Sequence, residues 1–235
     1  MTDGRIEWVR GDDDGEPQPI HSLSQRDVVV DAFLAAIDNG TLAPGEKLTV
    51  STLAKQFGVA AATVREALAA LNTLNLVEEQ PNRPSRIVTP TPKWYVAMAA
   101  ECAGLSIAAT DLGIANATDE EREAFADHAA RARAAWMAPT VDQLSASAAV
   151  WDLIQLLADW SGNRHIARLH EEKRHALAFG IAHLTRPRNA KMLISAVEAL
   201  SVAVRMGDRD EGVDIVRDLY AFVTVPFLEN DSRIN

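Results

Sequence analysis

Several basic and hydroxyl side chains lie close together in the sequence between residues 50 and 90. An arginine can hold a phosphate or a guanine edge with two parallel hydrogen bonds, a lysine can neutralise a phosphate, and a threonine can bond to either. This chemistry is typical of contact with a nucleic acid. The candidate residues for such contacts are Arg65, Thr63, Lys55, Arg83 and Arg86.

The apolar pattern around these residues predicts a helix-turn-helix. A short helix with Leu53 and Phe57 on its apolar face ends at Gly58, a residue that commonly terminates helices. A longer helix follows, whose apolar residues recur at 3.6-residue spacing: Val64, Ala67, Leu68, Leu71 and Leu74. Two helices joined by a tight turn can place the second one in the major groove of DNA.

A hairpin is predicted directly after these helices. Residues 78–88 contain two short extended runs separated by Pro81, Asn82 and Pro84, which is the pattern of a wing. The alternative interpretation is an ordinary pair of helices beside a surface hairpin. A preceding helix is predicted over residues 22–39, with Ser22 or Ser24 as its cap.

Residues 28–88 resemble the DNA-binding domain of the GntR family of bacterial transcription regulators. The order and spacing of the matching positions agree over about sixty residues: Ile37, Gly40, Leu42, Pro44, Gly45, Leu48, Leu53, Ala54, Gly58, Val59, Val64, Arg65, Glu66, Ala67, Leu68, Leu71, Leu76 and Val77. The resemblance implies a winged helix-turn-helix fold and binding to double-stranded DNA.

The sequence departs from that family at positions that the resemblance assigns to DNA contact. Ala60-Ala61 stands where the family usually has Ser-Arg, Ser51 lies near another basic position, and Pro84 replaces a wing-tip glycine. Arg65 is retained. We therefore predict that the protein binds DNA more weakly than is usual in that family, or that it recognises DNA with a different specificity.

Charge and composition define the domains. The net charge is −10, and residues 21–90, with six basic and seven acidic side chains, are the least acidic part. We expect residues 1–20 to be a disordered acidic tail, residues 21–90 a winged helix-turn-helix domain, residues 91–92 a linker and residues 93–235 an all-α effector-binding and dimerisation domain. The predicted fold class is mostly α.

Three further features of the sequence indicate the cellular location of the protein. The N-terminus lacks the apolar segment of a signal peptide, and no apolar run in the sequence suggests a membrane span. The single cysteine, Cys102, excludes an intrachain disulfide. A cytoplasmic protein without membrane contact is the expectation.

The helical domain resembles, on a looser match, the FCD effector-binding domain of the FadR-like GntR subfamily. The matching positions are Ser161-Gly162-Asn163, Ala203 and Gly207-Asp208. The resemblance implies a cavity with a divalent metal held by one Asp and three His. Counted from these landmarks, the ligand positions are all apolar: Val150, Ile154, Val197 and Leu219. We therefore expect no metal and no other cofactor.

Two interpretations of this region stay open. One is a dry pocket for a small organic effector, lined by Val150, Ile154, Val197, Leu219 and Trp151; the other is a collapsed core that binds no effector. One helix carries four histidines, which we interpret as surface or hydrogen-bonded imidazoles because their spacings do not place a pair on one helix face: His165, His170, His175 and His183.

The leading functional interpretation is a homodimeric, sequence-specific transcription regulator. We predict a repressor that binds a palindromic operator. Binding of a small effector would change the relative population of the arrangements that can bind DNA. The alternative is a regulator homologue with weakened DNA reading that acts through protein partners. An enzyme is disfavoured, because the sequence shows no convincing Ser/His/Asp or Cys/His constellation and no glycine-rich phosphate loop.

Overall fold

The computed structural model of the protein describes residues 24–79, 83–184 and 189–228, together with two short strands nearer the N-terminus. These strands, β1 (Trp8–Val9) and β2 (Gln18–Pro19), pair antiparallel. The structure differs here from the predicted disordered tail, because the backbones of these four residues pair with each other. The rest of the predicted tail lies outside the described residues.

Three helices build the N-terminal domain. α1 (Gln25–Asp38) begins where Ser24 Oγ accepts a hydrogen bond from the Asp27 backbone N–H at 3.2 Å, which confirms Ser24 as the cap. α2 (Val50–Phe57) ends at Gly58, which has a left-handed φ of 65°, and α3 (Ala61–Thr73) follows. The glycine permits this turn because it has no Cβ to clash. The predicted helix-turn-helix is confirmed.

A three-stranded sheet completes this domain. Its strands are β3 (Lys47–Leu48), β4 (Val77–Glu78) and β5 (Ser85–Ile87), in the order β3-β5-β4 with antiparallel pairing throughout. The β4–β5 pair is the predicted wing, and its residues 80–82 lie outside the described residues.

The rest of the described chain is a helical bundle. Its helices are α4 (Pro92–Asn116), α5 (Asp119–Met137), α6 (Gln143–Trp160), α7 (Arg164–His183), α8 (Ala190–Met206) and α9 (Arg209–Leu228). The expected mostly α fold, with a winged helix-turn-helix followed by a bundle, is confirmed. The predicted linker at 91–92 differs in detail: Thr91 caps α4, and Pro92 is its first residue, a position that suits the fixed φ of proline.

α4 lies at the centre of the bundle, packed against α6, α7 and α9. It is the one helix among the described residues that is long and apolar enough to cross a membrane by length and composition. Nine of its 25 residues are buried. The apolar character of α4 therefore matches its place in the protein core.

The two domains share a core rather than meeting only at a linker. Met98 on α4 and Ala176 and Phe179 on α7 belong to the same buried cluster as Phe33 and Leu71 of the N-terminal domain. A second cluster fills the bundle itself. Packing across the domain boundary fixes the orientation of the N-terminal domain on the bundle.

Candidate DNA-binding surface and ligand cavity

The first turns of α3 carry two of the predicted contact residues. In a helix-turn-helix, the N-terminal residues of the second helix reach the base edges. Arg65 is exposed and Thr63 is half-buried. No ion pair joins Arg65 to Glu66 or Glu78 in the part of the chain that the structure describes. The Arg65 guanidinium is therefore accessible to an external anion.

The start of α3 has no side-chain cap. Ala60 is the capping residue and supplies no hydrogen-bond acceptor, so the first backbone N–H groups of the helix are open to water or to a phosphate. Thr49 is the capping residue of α2, and its side chain likewise makes no capping hydrogen bond.

The remaining candidates lie on different elements. Lys55 is exposed in the last turn of α2, and Arg83 is exposed at the edge of the wing. Arg86 on β5 is half-buried, and its Nη1 donates to the Gly45 carbonyl oxygen at 3.0 Å. This bond ties β5 to the turn before β3, so Arg86 has a structural role that the sequence pattern did not indicate.

The bundle contains a partly open cavity of about 80 Å³, and all six bundle helices contribute residues to its wall. Four of the five predicted pocket residues line it: Val150, Trp151, Ile154 and Leu219. Val197 is 3 % exposed and packs in the bundle core instead, one helical turn beyond the cavity residue Leu193 on α8. The sequence pattern missed several other wall residues, among them Tyr95, Trp136, Arg174, Leu193 and Tyr220.

A buried hydrogen-bond network runs beside the cavity. His170 Nδ1 lies 2.7 Å from Gln155 Oε1, and His170 Nε2 lies 3.0 Å from Ser106 Oγ. Ser106 Oγ lies 2.9 Å from the hydroxyl of Tyr220, a cavity wall residue. The imidazole also stacks on Trp151, with ring centroids 4.1 Å apart. The network connects α4, α6, α7 and α9 and holds two cavity residues in place.

Burial lowers the pKa of His170 from 6.5 to about 4, so the imidazole is neutral at neutral pH. Because the Gln155 carbonyl oxygen can only accept, Nδ1 carries the proton and Nε2 accepts from the Ser106 hydroxyl. Burial also raises the pKa of Tyr220, which stays protonated and donates to Ser106. The interpretation of His170 as a hydrogen-bonded imidazole is confirmed.

The other three histidines of α7 are also accounted for. His165 is exposed, His175 Nδ1 lies 3.2 Å from Asp38 Oδ2, and His183 Nδ1 lies 2.9 Å from the Phe179 carbonyl oxygen. His165 thus lies at the surface, His175 and His183 bond to neighbouring groups, and the three side chains do not converge on one site. The interpretation of the set as surface or hydrogen-bonded imidazoles is confirmed.

The cavity wall does not fit the divalent metal that the FCD resemblance implies. Val150, Ile154 and Leu219 present no donor atom there, and both ring nitrogens of His170 are already engaged. Among the described residues, no three His, Cys, Asp or Glu side chains are grouped to hold an ion. A carboxylate and three imidazoles, the donor set of such a site, are not available at this position.

Two donors in the cavity wall lack partners. The indole Nε1 atoms of Trp136 and Trp151 are buried and make no hydrogen bond. Both residues line the cavity, at 3 % and 5 % exposure. A buried donor without an acceptor costs about 1–3 kcal/mol, and most buried polar groups in proteins are paired. Each of these two wall side chains therefore carries a donor without a partner, and neither donor atom is exposed to the cavity space.

The N-terminal domain also matches a known protein family. Residues 25–87 match the sequence model described as "Bacterial regulatory proteins, gntR family". This part of the chain is therefore similar to the bacterial regulatory proteins of the GntR family. The match spans α1 to β5, so it includes Arg65, Thr63, Lys55, Arg83 and Arg86, and it agrees with the resemblance seen in the sequence.

Solved structures of the same fold include both domains. E. coli McbR/YncC has 17 % sequence identity and a TM-score of 0.65, and the alignment covers 88 % of this chain and 99 % of that one. A transcriptional regulator GntR from Rhodococcus sp. RHA1 has 18 % identity and a TM-score of 0.62, covering 87 % and 98 %. No curated protein sequence matched this chain. At these identities the structural matches establish a shared fold of the GntR domain and the helical bundle.

One lysine ties the GntR domain to the bundle. Lys173 on α7 is 7 % exposed, and its Nζ donates to the Thr73 carbonyl oxygen at the end of α3, at 3.3 Å. The same Nζ lies 2.7 Å from Glu101 Oε1, and Glu101 Oε2 accepts from Asn75 Nδ2 at 3.4 Å. α7 also carries the cavity residue Arg174 next in sequence. A single helix thus contacts both the cavity and the end of α3.

Proposed function

We propose that this GntR-type regulator is a homodimeric, sequence-specific DNA-binding protein that represses transcription and is controlled by a small organic effector. The observation that carries the proposal is the match of residues 25–87 to the GntR family, folded here as a winged helix-turn-helix with Arg65 exposed on α3. The family consists of regulatory proteins, and we propose no catalytic activity.

The charge of the GntR domain supports pairing of two copies. Six basic side chains against seven acidic ones in residues 21–90 give little general attraction to the phosphate backbone. Two linked domains raise affinity because the second binds as an intramolecular event. A symmetric dimer reads a palindrome, with half-sites one helical turn or a multiple apart. A bound dimer excludes other proteins from the same DNA, which is the basis for proposing repression.

The bundle supports the proposed effector control. We propose that it is an FCD-like domain that works without a metal, since its cavity offers apolar walls in place of metal ligands. An effector that moves α7 would act on α3 through Lys173 and its bond to Thr73. Effector binding would then change the population of arrangements that fit DNA. For such a regulator we propose a cytoplasmic location.

A second candidate function has one observation in its favour. Ala60 leaves α3 without a side-chain cap, and Ala61 offers no hydrogen-bonding group to DNA. A regulator homologue with weakened DNA reading, acting through protein partners, would show this pattern. If mixed-sequence DNA readily displaces a bound duplex from the protein at low salt, the second candidate is favoured, because non-specific binding depends on phosphates alone.

Arg65→Ala tests the DNA-binding surface directly. We expect it to weaken binding to a mixed-sequence 30-base-pair duplex by roughly 3- to 10-fold at low salt and to make the plot of log affinity against log salt shallower by about 0.9, the effect of one lost phosphate contact. Fluorescence anisotropy of a labelled duplex at several salt concentrations measures both quantities.

The matched control for this test is Arg131→Ala, which removes the same charge from an exposed position on α5. We expect its affinity to stay within about 2-fold of the unmodified protein, because α5 belongs to the helical bundle and carries none of the predicted DNA contacts. Equal affinities and salt slopes for Arg65→Ala and Arg131→Ala would remove Arg65 from the DNA interface.

A further inference from the structure

The outer side of the last two helices gathers exposed apolar side chains. α8 packs mainly on α5 and α9, and α9 packs mainly on α4 and α8, so the pair forms one edge of the bundle. Seven large apolar side chains are exposed among the described residues, and four of them lie on this pair: Met192, Val202 and Met206 on α8 and Val225 on α9. Exposed apolar groups that gather in one place mark an interaction surface.

A groove of about 210 Å³ runs between α8 and α9. Its walls are mainly apolar, and their residues are Met192, Ser195, Ala196, Ile215, Asp218, Leu219 and Phe222. Val202 and Met206 continue the α8 wall, because residues seven and eleven positions after Ser195 fall on the same face of a helix. Val225 extends the α9 wall in the same way, three residues after Phe222. The α8–α9 face is therefore one continuous apolar strip.

The two edges of this face carry opposite charge. α8 contributes the exposed cations Lys191 and Arg205, and α9 contributes three exposed carboxylates: Asp210, Glu211 and Asp218. Within the described part of the chain, none of these five side chains forms an ion pair. The remaining carboxylates of the two edges, Glu198 and Asp214, are each paired with an arginine. The α8 edge is thus basic and the α9 edge is acidic.

A second copy of this chain fits this charge pattern. In a two-fold dimer, both copies use the same face. If the two-fold axis runs parallel to the helices, α8 of one copy lies against α9 of the other, and each basic edge meets an acidic edge. An axis across the helices would place α8 against α8 and would oppose like charges, which costs binding free energy. The charges therefore favour the parallel axis.

The register of the two helices identifies the residues that would meet. Ala203 and Gly212 lie at the same height, since a Cβ on Gly212 would lie 3.9 Å from the Ala203 Cβ. Two residues nearer the turn on each helix are Arg205 and Asp210. A two-fold axis parallel to the helices keeps every residue at its height. Arg205 of each copy then lies opposite Asp210 of the other, so the contact occurs twice in the dimer.

We infer that the α8–α9 face binds a second copy of this chain, with α8 of each copy against α9 of the other. The apolar groove forms the centre of the interface, and Arg205 and Asp210 pair at its edge. An apolar core with a polar rim is the usual anatomy of such interfaces. The inference rests on the proposed homodimer and deepens it by naming the surface and the direction of the two-fold axis.

Val202→Glu tests the apolar centre. Val202 is 49 % exposed, so the folded monomer can accept a glutamate, whereas a covered groove cannot solvate one. Sedimentation velocity of the full-length protein over a concentration series gives the dissociation constant of the dimer. We expect that constant to rise by at least about 10-fold, because symmetry places the new carboxylate twice in one interface. Val28→Glu, on α1, is the matched control at similar exposure and should change it by less than about 2-fold.

Two charge variants test which helix faces which. Arg205→Glu and Asp210→Lys each put like charges at both edge contacts, so each protein alone should dimerise roughly 3- to 10-fold more weakly than the unmodified protein. An equimolar mixture should recover the original affinity. In the mixed dimer, the new glutamate faces the new lysine at one contact, and the original arginine faces the original aspartate at the other. A mixture that dimerises no better than its components would overturn the pairing of α8 with α9.

The same measurements separate this inference from the proposed function. A monomeric unmodified protein at every concentration used would contradict both the homodimer and this face. A dimer that persists unchanged in Val202→Glu would uphold the homodimer and overturn the face, leaving it to another occupant. An equal loss of dimer in Val28→Glu and Val202→Glu would also contradict the assignment to α8 and α9.

Discussion

Gly113→Ala is expected to destabilise the protein by about 3 kcal/mol, a shift of roughly 6–12 °C in the unfolding midpoint for a chain of this size. Gly113 lies on α4 where it crosses α6. A Cβ there would lie 2.8 Å from the Leu157 Cα and closer still to the Leu157 carbonyl oxygen. Because the obstructing atoms are helix backbone, α4 and α6 must move apart to accept one methyl group. Chemical and thermal unfolding curves measure the loss.

Gly104→Ala is the matched control on the same helix. Gly104 is exposed, and a Cβ there would meet no atom within 4 Å. Alanine has a better helix propensity than glycine, so we expect this variant to gain up to about 1 kcal/mol. Similar stabilities for Gly104→Ala and Gly113→Ala would contradict the close crossing of α4 and α6, and with it the geometry of the cavity.

Lys173→Met is expected to loosen the GntR domain on the bundle. Methionine keeps most of the apolar stem but removes the Nζ that bonds to the Thr73 carbonyl oxygen and to Glu101. The carbonyl then lacks its side-chain donor, while the half-exposed Glu101 recovers part of its solvation. We expect a loss on the order of 1–2 kcal/mol and faster hydrogen exchange at the backbone amides of residues 74–76, which close the end of α3.

The control for the lysine variant is Lys191→Met, at an exposed position on α8. A surface substitution of this kind changes stability by less than about 0.5 kcal/mol. Hydrogen exchange followed by mass spectrometry compares the two proteins segment by segment. Unchanged exchange at residues 74–76 in Lys173→Met would show that α7 does not hold α3 through this lysine.

Local signals predicted most of the fold. The apolar spacing of Val64, Leu68 and Leu71 predicted α3. Gly58 predicted the turn before α3, and the residues around Pro84 predicted the wing. These features depend on neighbours within a few residues, so one sequence is enough to recognise them. The bundle helices followed from the same periodicity.

Contacts between distant residues were not predictable in the same way. The bond from Arg86 to Gly45 joins residues 41 positions apart, and that from Ser106 to Tyr220 joins residues 114 apart. Val197 illustrates the same limit: its apolar stripe indicated burial, but the stripe could not say whether the residue faces the cavity or the neighbouring core. Trp136 was missed because a tryptophan on an amphipathic helix reads simply as core.

We propose that the protein reads a specific DNA sequence as a dimer. Selection of bound sequences from a random duplex pool at moderate salt, using the full-length protein, tests it most directly. We predict enrichment of one palindrome whose half-site centres lie one helical turn, or a multiple of it, apart. A pool that shows no enriched sequence after repeated rounds would contradict sequence-specific DNA reading by this protein.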